Sequence, residues 1–237
     1  EMHYLRRCIL ECMIRKWRFV MKVNVVLFDL DGTITDSAPG IINSIRYALE
    51  KHGLDVPAEN ELRKFVGPPL KEQFQKVFAL SDAEGGEMVN SYREYYGTKG
   101  IYENRVYEGI VKMLSRLQDA GIRIMMATSK PEKYARMIAE YFDFAKYFEY
   151  VGGACMDGTR TDKYEVIEYV LDTCKVTDRD CVVMVGDRSH DMVGARRAGL
   201  HSLGVLYGYG SRDELEKNGA ELIARTPQEA AEMILRL

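Results

Sequence analysis

The stretch "VLFDLDGTITDS", residues 26–37, closes an apolar run on two carboxylates, Asp29 and Asp31. Like charges two residues apart raise each other's cost of ionisation unless something positive lies between them. These twelve residues hold no such partner, so the rest of the chain is expected to supply it. Upstream, "KVNVVLF" (22–28) reads as a buried strand, a short apolar run rich in β-branched residues. Asp29 and Asp31 therefore stand at the carboxyl end of a strand.

The next segment is helical. "APGIINSIRYALEKHG" (38–53) has Pro39 near its start and Gly53 at its end. From 55 to 100, "PAENELRKFV", "PPLKEQFQKVFAL" and "SDAEGGEMVNSYREYYG" repeat apolar groups at helical spacing, with no strand pattern. A strand that enters such a long helical block exceeds an ordinary crossover and predicts an inserted helical cap subdomain. The expected division is an amino-terminal extension (1–21), an α/β core (22–36 and 104–237) and a helical cap (37–103).

Beyond the block, helix and strand alternate. "VYEGIVKMLSRLQDAG" is helical, "IRIMMATS" a strand, "KPEKYARMIAEYFDF" helical, and "YFEYVGGA" includes a short strand. "TDKYEVIEYVLDTC" is helical, "DCVVMVGD" a strand, "SHDMVGARRAG" helical, "HSLGVLYG" contains a strand, and "TPQEAAEMIL" closes as a helix. The expectation is an α/β fold, a doubly wound, mostly parallel sheet with helices on both faces. Ligands of such sheets gather at the carboxyl ends of the strands.

Composition narrows the partners. The 237 residues are 46% hydrophobic and 29% charged, the balance of a soluble globular protein. Lys and Arg number 33 against 36 Asp and Glu, a net charge of -3, so no global positive field collects nucleic acid or an anionic membrane. Five cysteines (Cys8, Cys12, Cys155, Cys174 and Cys181) form no CxxC pair, which points to reduced thiols in a cytoplasm and gives no zinc site.

The first twenty residues, "EMHYLRRCILECMIRKWRFV", interleave charges with every apolar stretch, so they fail as a signal peptide, and no run in the chain is long enough to span a bilayer. They read as a packing helix, a non-native extension before Met21, or a basic amphipathic surface helix. A nucleic-acid module built on this basic segment is the rival of a different class, and it predicts salt-sensitive binding lost on deleting residues 1–20.

Polar residues stand where the strand-end rule expects a site. Asp29 and Asp31 follow the first strand, Thr128 and Ser129 end "RIMMA", Gly186 and Asp187 end "CVVMV", and Lys163 opens the helix between the last two. Taken singly, the acids read as caps or turn formers, Thr128 and Ser129 as a helix cap and Lys163 as a solvated cation. Together they bring acids, a hydroxyl and an ammonium to one crevice. Asp191, four residues after Asp187, reads either as part of that crevice or as a first-turn cap. This set suits Mg²⁺-assisted phosphoryl transfer: magnesium takes oxygen ligands, which Asp29 and Asp187 offer, and it answers the charge conflict of the opening pair.

"FDLDGTITDS" (28–37), "ATSK" (127–130), Lys163 in "RTDKYEV" and "VGDRSHD" (185–191) resemble, in order, the four motifs of the haloacid dehalogenase-like hydrolase superfamily. "GIVKMLSRLQDAG" (109–121) and the helical insertion resemble its phosphatase branch with a helical cap. The resemblance implies a Rossmann-like core and an aspartyl-phosphate mechanism. It makes Asp29 the nucleophile and a Mg²⁺ ligand, and Asp31 the general acid and then base, its carbonyl a further ligand. It makes Thr128, helped by the Ser129 amide, a donor to the phosphoryl group, and Lys163 the cation that neutralises phosphate and steadies Asp29. Asp187 becomes a metal ligand, Asp191 holds the metal through water or orders its loop, and the amides around Leu30 and Gly32 cradle phosphate. Arg188 and His190 lie outside the family's essential charges.

Asp31 separates subclasses, because dehalogenases of the superfamily lack a carboxylate there, whereas an alkoxide leaving group benefits from an acid. A hexose-phosphate mutase also keeps this Asp and differs by returning phosphate to a bound sugar. A non-enzymatic scaffold would not need the full charge set. For specificity, "KFVGPPLKEQF" (64–74) and the turn after Asp36 are the expected lining and hinge. "FVGPPL" resembles the cap turn of phosphoglycolate phosphatases, where Pro68 and Pro69 either stiffen the turn or start a helix. "TSKPEKYA" (128–135) and "GVLYGYGSRDEL" (204–215) resemble the bacterial 5'-nucleotidase-like relatives. The resemblance implies a small phosphorylated metabolite as substrate, a nucleoside 5'-monophosphate ahead of phosphoglycolate. Phe74, Tyr92, Tyr95 and Tyr96 read as cap core at helical spacing, with base stacking as the alternative.

Overall fold

In the computed structural model, residues 23–67 and 69–237 are described; the extension 1–21, with Cys8 and Cys12, and the role of Pro68 lie outside them. The central strand β1 (Val25–Phe28) is buried throughout, as a strand covered on both faces must be. Around it lie β4 (Arg123–Pro131), β5 (Tyr150–Ala154), β6 (Val182–Gly186), β7 (His201–Val205) and β8 (Leu222–Ala224) in the order β5-β4-β1-β6-β7-β8. Every pairing in this sheet is parallel.

The side chains of β1 alternate between two apolar layers. Val26 and Phe28 join one, with α5 (Ile110–Asp119), α6 (Glu132–Tyr141) and α10 (Pro227–Ile234). Val25 and Leu27 join the other, with α7 (Lys163–Thr173) and α8 (Ser189–Ala198). That alternation is the period of two a strand imposes, and it makes the sheet doubly wound. β1 lies between β4 and β6, where the winding direction reverses. Phe28 is in register with Met126 and with Val185, so the residues after each strand leave the sheet along one edge.

Between β1 and β4 the chain forms a two-residue ribbon, β2 (Thr35–Asp36) against β3 (Arg105–Val106), antiparallel. Inside that ribbon lie α1 (Ala38–Lys51), α2 (Glu59–Leu62), α3 (Leu70–Phe78) and α4 (Asp82–Tyr96). Pro39 sits in the first turn of α1, and Ser81 closes a capping box with Glu84 at the start of α4. Pro69 is the N-cap of α3.

The sheet extends beyond the expected elements. β4 runs through Lys130 and Pro131, where a helix start is expected, and α6 begins at Glu132. A proline bars the residue before it from helical backbone, so Pro131 keeps Lys130 extended. β8 and the β2–β3 ribbon are additional strands that the sequence pattern does not announce.

Candidate active site

The site is built where β1, β4 and β6 end. Asp29 follows Phe28, its N–H donated to Val185 O at 2.9 Å, and its side chain is buried. Lys163 is the first residue of α7, whose N-cap Asp162 closes a capping box with Glu165. Its ammonium lies 2.7 Å from Asp29 Oδ1, 3.0 Å from Ala127 O and 2.8 Å from Asp191 Oδ1. Burial by itself would lower the Lys163 pKa, but Asp191 and Asp29 outweigh it and hold the ammonium above its ordinary value. Asp191 stands both at the head of α8 and in the crevice: Oδ2 accepts the Arg188 N–H at 3.0 Å, while Oδ1 faces Lys163. Burial would raise its pKa, yet Lys163 and His190 hold it below the usual carboxylate range.

Asp187, fully buried, accepts from Thr33 Oγ1 at 3.3 Å and from the Tyr209 N–H at 2.7 Å. Burial, then the charges of Asp191 and Asp29, push its carboxyl well above the usual range. Two buried carboxylates thus share the Lys163 ammonium, and Asp187, a third, has no cation within ion-pair distance among the described residues. Oxygens of Asp29 and Asp191 and a ring nitrogen of His190 also lie within 4.8 Å of one another. The surplus negative charge and the oxygen-rich donor set fit a hard divalent cation such as Mg²⁺.

Asp31 pairs with Lys130, Nζ to Oδ2 at 2.6 Å. Its other oxygen, Oδ1, is buried without a hydrogen-bond partner among the described residues. Thr128 is buried and its Oγ1 accepts the Lys130 N–H at 3.2 Å; Ser129 is half-buried beside it. Leu30 turns the chain, its carbonyl accepting from the amides of Thr33, Ile34 and Thr35 at 3.2, 2.9 and 3.0 Å. The Gly32 N–H, expected to face phosphate, is donated to Thr35 O at 2.8 Å. Gly32 instead matters through its shape: φ is +84°, and a Cβ there would land on the Asp187 carboxylate.

The sequence assigns several neighbours no partner. Lys130 belongs to the "ATSK" motif but has no expected partner. Tyr209 binds Asp187 through its backbone, while its hydroxyl donates to Asp36 Oδ1 at 3.0 Å and accepts the Ala38 N–H at 2.9 Å. The Arg188 and His190 side chains lie under Gly67 of the "FVGPPL" turn. Of the four aromatics, Phe74 packs on Phe65 and Phe78, Tyr95 on Tyr47, and Tyr92 stacks on Tyr96. Phe74, Tyr92 and Tyr96 are buried, which fits the cap-core reading.

Fold and cluster together define a class, a doubly wound α/β enzyme with an acidic site at the strand ends. The family model for haloacid dehalogenase-like hydrolases matches residues 26–205, and the chain belongs to that family as an enzyme of its phosphatase group. A 5'-nucleotidase of Pseudomonas aeruginosa is 45% identical over 190 residues, covering 80% of this chain and 86% of that protein. Tyrosine-protein kinase PtkA of Mycobacterium tuberculosis is 39% identical over 199 residues, covering 84% and 67%. The crystal structure of a predicted phosphatase from Clostridium acetobutylicum superposes with a TM-score of 0.87 at 41% identity, covering 91% of this chain and 100% of that one.

Proposed function

We propose that the protein is a Mg²⁺-dependent phosphomonoester hydrolase that works through an aspartyl-phosphate on Asp29. Its proposed substrate is a nucleoside 5'-monophosphate or a similar small phosphorylated metabolite. The observation that carries this reading is the Lys163 ammonium bridging Asp29 and Asp191 at the end of the central strand, with Asp31 two residues away. In the first half-reaction Asp29 attacks phosphorus and the proton on Asp31 goes to the leaving oxygen. In the second, water attacks the aspartyl-phosphate and Asp31 takes its proton. Thr128, the amides of Ser129 and Leu30, and Lys163 hold the phosphoryl oxygens, and Gly32 lets the carboxylates approach closely. Asp29, the Asp31 carbonyl, Asp187 and Asp191 would hold Mg²⁺, which neutralises charge on the transferring group when bound.

The helical segment 37–103 acts as the cap that reads the group beyond the phosphate. The likeness to a 5'-nucleotidase supports the nucleotide over phosphoglycolate, and the resemblance of "FVGPPL" keeps phosphoglycolate as the alternative. A cytoplasmic setting is supported by the free thiols of Cys155, Cys174 and Cys181. Among the described residues no helix is long and apolar enough to cross a membrane.

The test is phosphate release from nucleoside monophosphates, phosphoglycolate and sugar phosphates, with and without Mg²⁺, beside a protein-tyrosine phosphorylation assay. The expected result is Mg²⁺-dependent release, highest on a nucleotide and abolished in Asp29→Asn with the fold intact. Normal turnover by Asp29→Asn would overturn the nucleophile. Return of phosphate to a bound sugar would make the enzyme a mutase.

A further inference from the structure

Lys130 is a buried cation, its side chain only 5% exposed, and burying an ammonium is costly unless its partner is well placed. Its partner is Asp31, 99 residues away in sequence, at 2.6 Å from Oδ2. Two backbone constraints aim it there: Pro131 keeps Lys130 extended, and the Lys130 N–H is donated to Thr128 Oγ1. On the far side, Nζ lies 4.9 Å from the ring centroid of Tyr96, the last residue of α4, so the ammonium sits between the core carboxylate and an aromatic face of the helical block. The pairing is one-sided, since Oδ2 is held while Oδ1 has no hydrogen bond among the described residues.

We propose that Lys130 is a positioning residue that fixes the Asp31 carboxyl through Oδ2 so that Oδ1 faces the leaving-group oxygen. The inference rests on the phosphatase reading of this site. The bond from phosphorus to the leaving oxygen breaks as the bond to Asp29 forms, and the proton passes from Asp31 to that oxygen. Lys130 gains and loses no proton. In the first half-reaction its contribution is felt only where the leaving group needs protonating; in the second, where Asp31 takes the proton of water, it is the same for every ester.

That condition supplies the test. A nucleoside 5'-monophosphate leaves as an alkoxide and needs an acid, whereas p-nitrophenyl phosphate leaves as a stabilised phenoxide. In Lys130→Met, the single-turnover rate of leaving-group release is expected to fall about 100-fold on the nucleotide and about 5-fold or less on the aryl ester, with KM changed little. Asp31→Asn should show the same contrast. The double variant Asp31→Asn with Lys130→Met removes both charges together, which buried sites tolerate better than loss of one, and it should lose no more than Asp31→Asn alone. A further loss of about ten-fold in the double variant would overturn the inference, as would an equal fall on both esters or a rise in KM with kcat intact. Survival of activity in Asp29→Asn would instead strike the reaction itself, so the two failures are distinguishable.

Discussion

Arg188, at the head of α8, donates through Nη1 to the carbonyl of Val66 in the helical block at 2.8 Å. Its Nε donates at 3.0 Å to Glu214 of the short helix α9 (Arg212–Lys217), so one guanidinium ties the block to that core helix. Hydrogen bonds from charged donors contribute about 1.5–3 kcal/mol. Arg188→Ala is therefore expected to raise KM about ten-fold with a smaller effect on kcat, read by steady-state kinetics. A fall in kcat at constant KM would contradict this role for the contact.

Lys163→Met leaves Asp29 and Asp191 buried without their shared cation. Breaking a buried pair from one side costs about 3–5 kcal/mol. At roughly 2–4 °C per kcal/mol for a chain of this size, the melting temperature should fall by about 6–20 °C in metal-free buffer. Calorimetry that finds no fall would show that the ammonium does not stabilise the cluster.

Asp187 makes a pH-dependent contribution to the stability of the metal-free protein. Its folded pKa lies well above the ordinary 3.8, so its ionisation favours the unfolded chain. This group's contribution is accordingly most favourable in acid and declines as pH rises from about the ordinary value through the raised one. Asp191 is shifted down and Lys163 up, so their contributions stay constant across neutral pH. Without divalent cation, the melting temperature of the wild type should decline relative to that of Asp187→Asn as pH rises over that window. Mg²⁺ should stabilise the wild type more at the upper end of the window than at the lower. Wild-type and Asp187→Asn profiles that run parallel over the window would refute the assignment.

Gly32→Ala combines left-handed backbone with a Cβ driven into the Asp187 carboxylate. The strain is about 1–2 kcal/mol, and the displaced carboxylate is the greater harm. Phosphate release should fall at least about 100-fold, and the thermal shift on adding Mg²⁺ should shrink. Gly53→Ala is the control, with φ of +67° but open space around it, and should retain activity. Equal behaviour of the two variants would mean that strain alone matters at Gly32.

Much of the fold is legible in the letters because it is local. An apolar run broken by Asp29 and Asp31 marks a strand end, and helical spacing marks the block between Ala38 and Tyr96. Three features are not legible. The Lys130–Asp31 pair joins residues 99 apart, and no periodicity encodes a contact between the ends of two different strands. The Tyr209 amide reaches Asp187 through a backbone group, which is the same in every residue but proline. β2, β3 and β8 are two or three residues long, too short for alternation to appear. Gly32 shows the converse: its motif position is informative, but its amide is turned to Thr35 O, and what the glycine supplies is room.

The β2–β3 ribbon brings the two ends of the helical block together. The chain leaves the core at Asp36 and returns at Arg105, and these residues are paired partners held by an Arg105–Asp36 ion pair of 2.8 Å. Paired strands lie about 5 Å apart, so the two splice points are almost a single point on the core. On the proposed reading of the block as the part that selects the ester, a chimaera joined at this ribbon is expected to change which ester is chosen while keeping the same carboxylates.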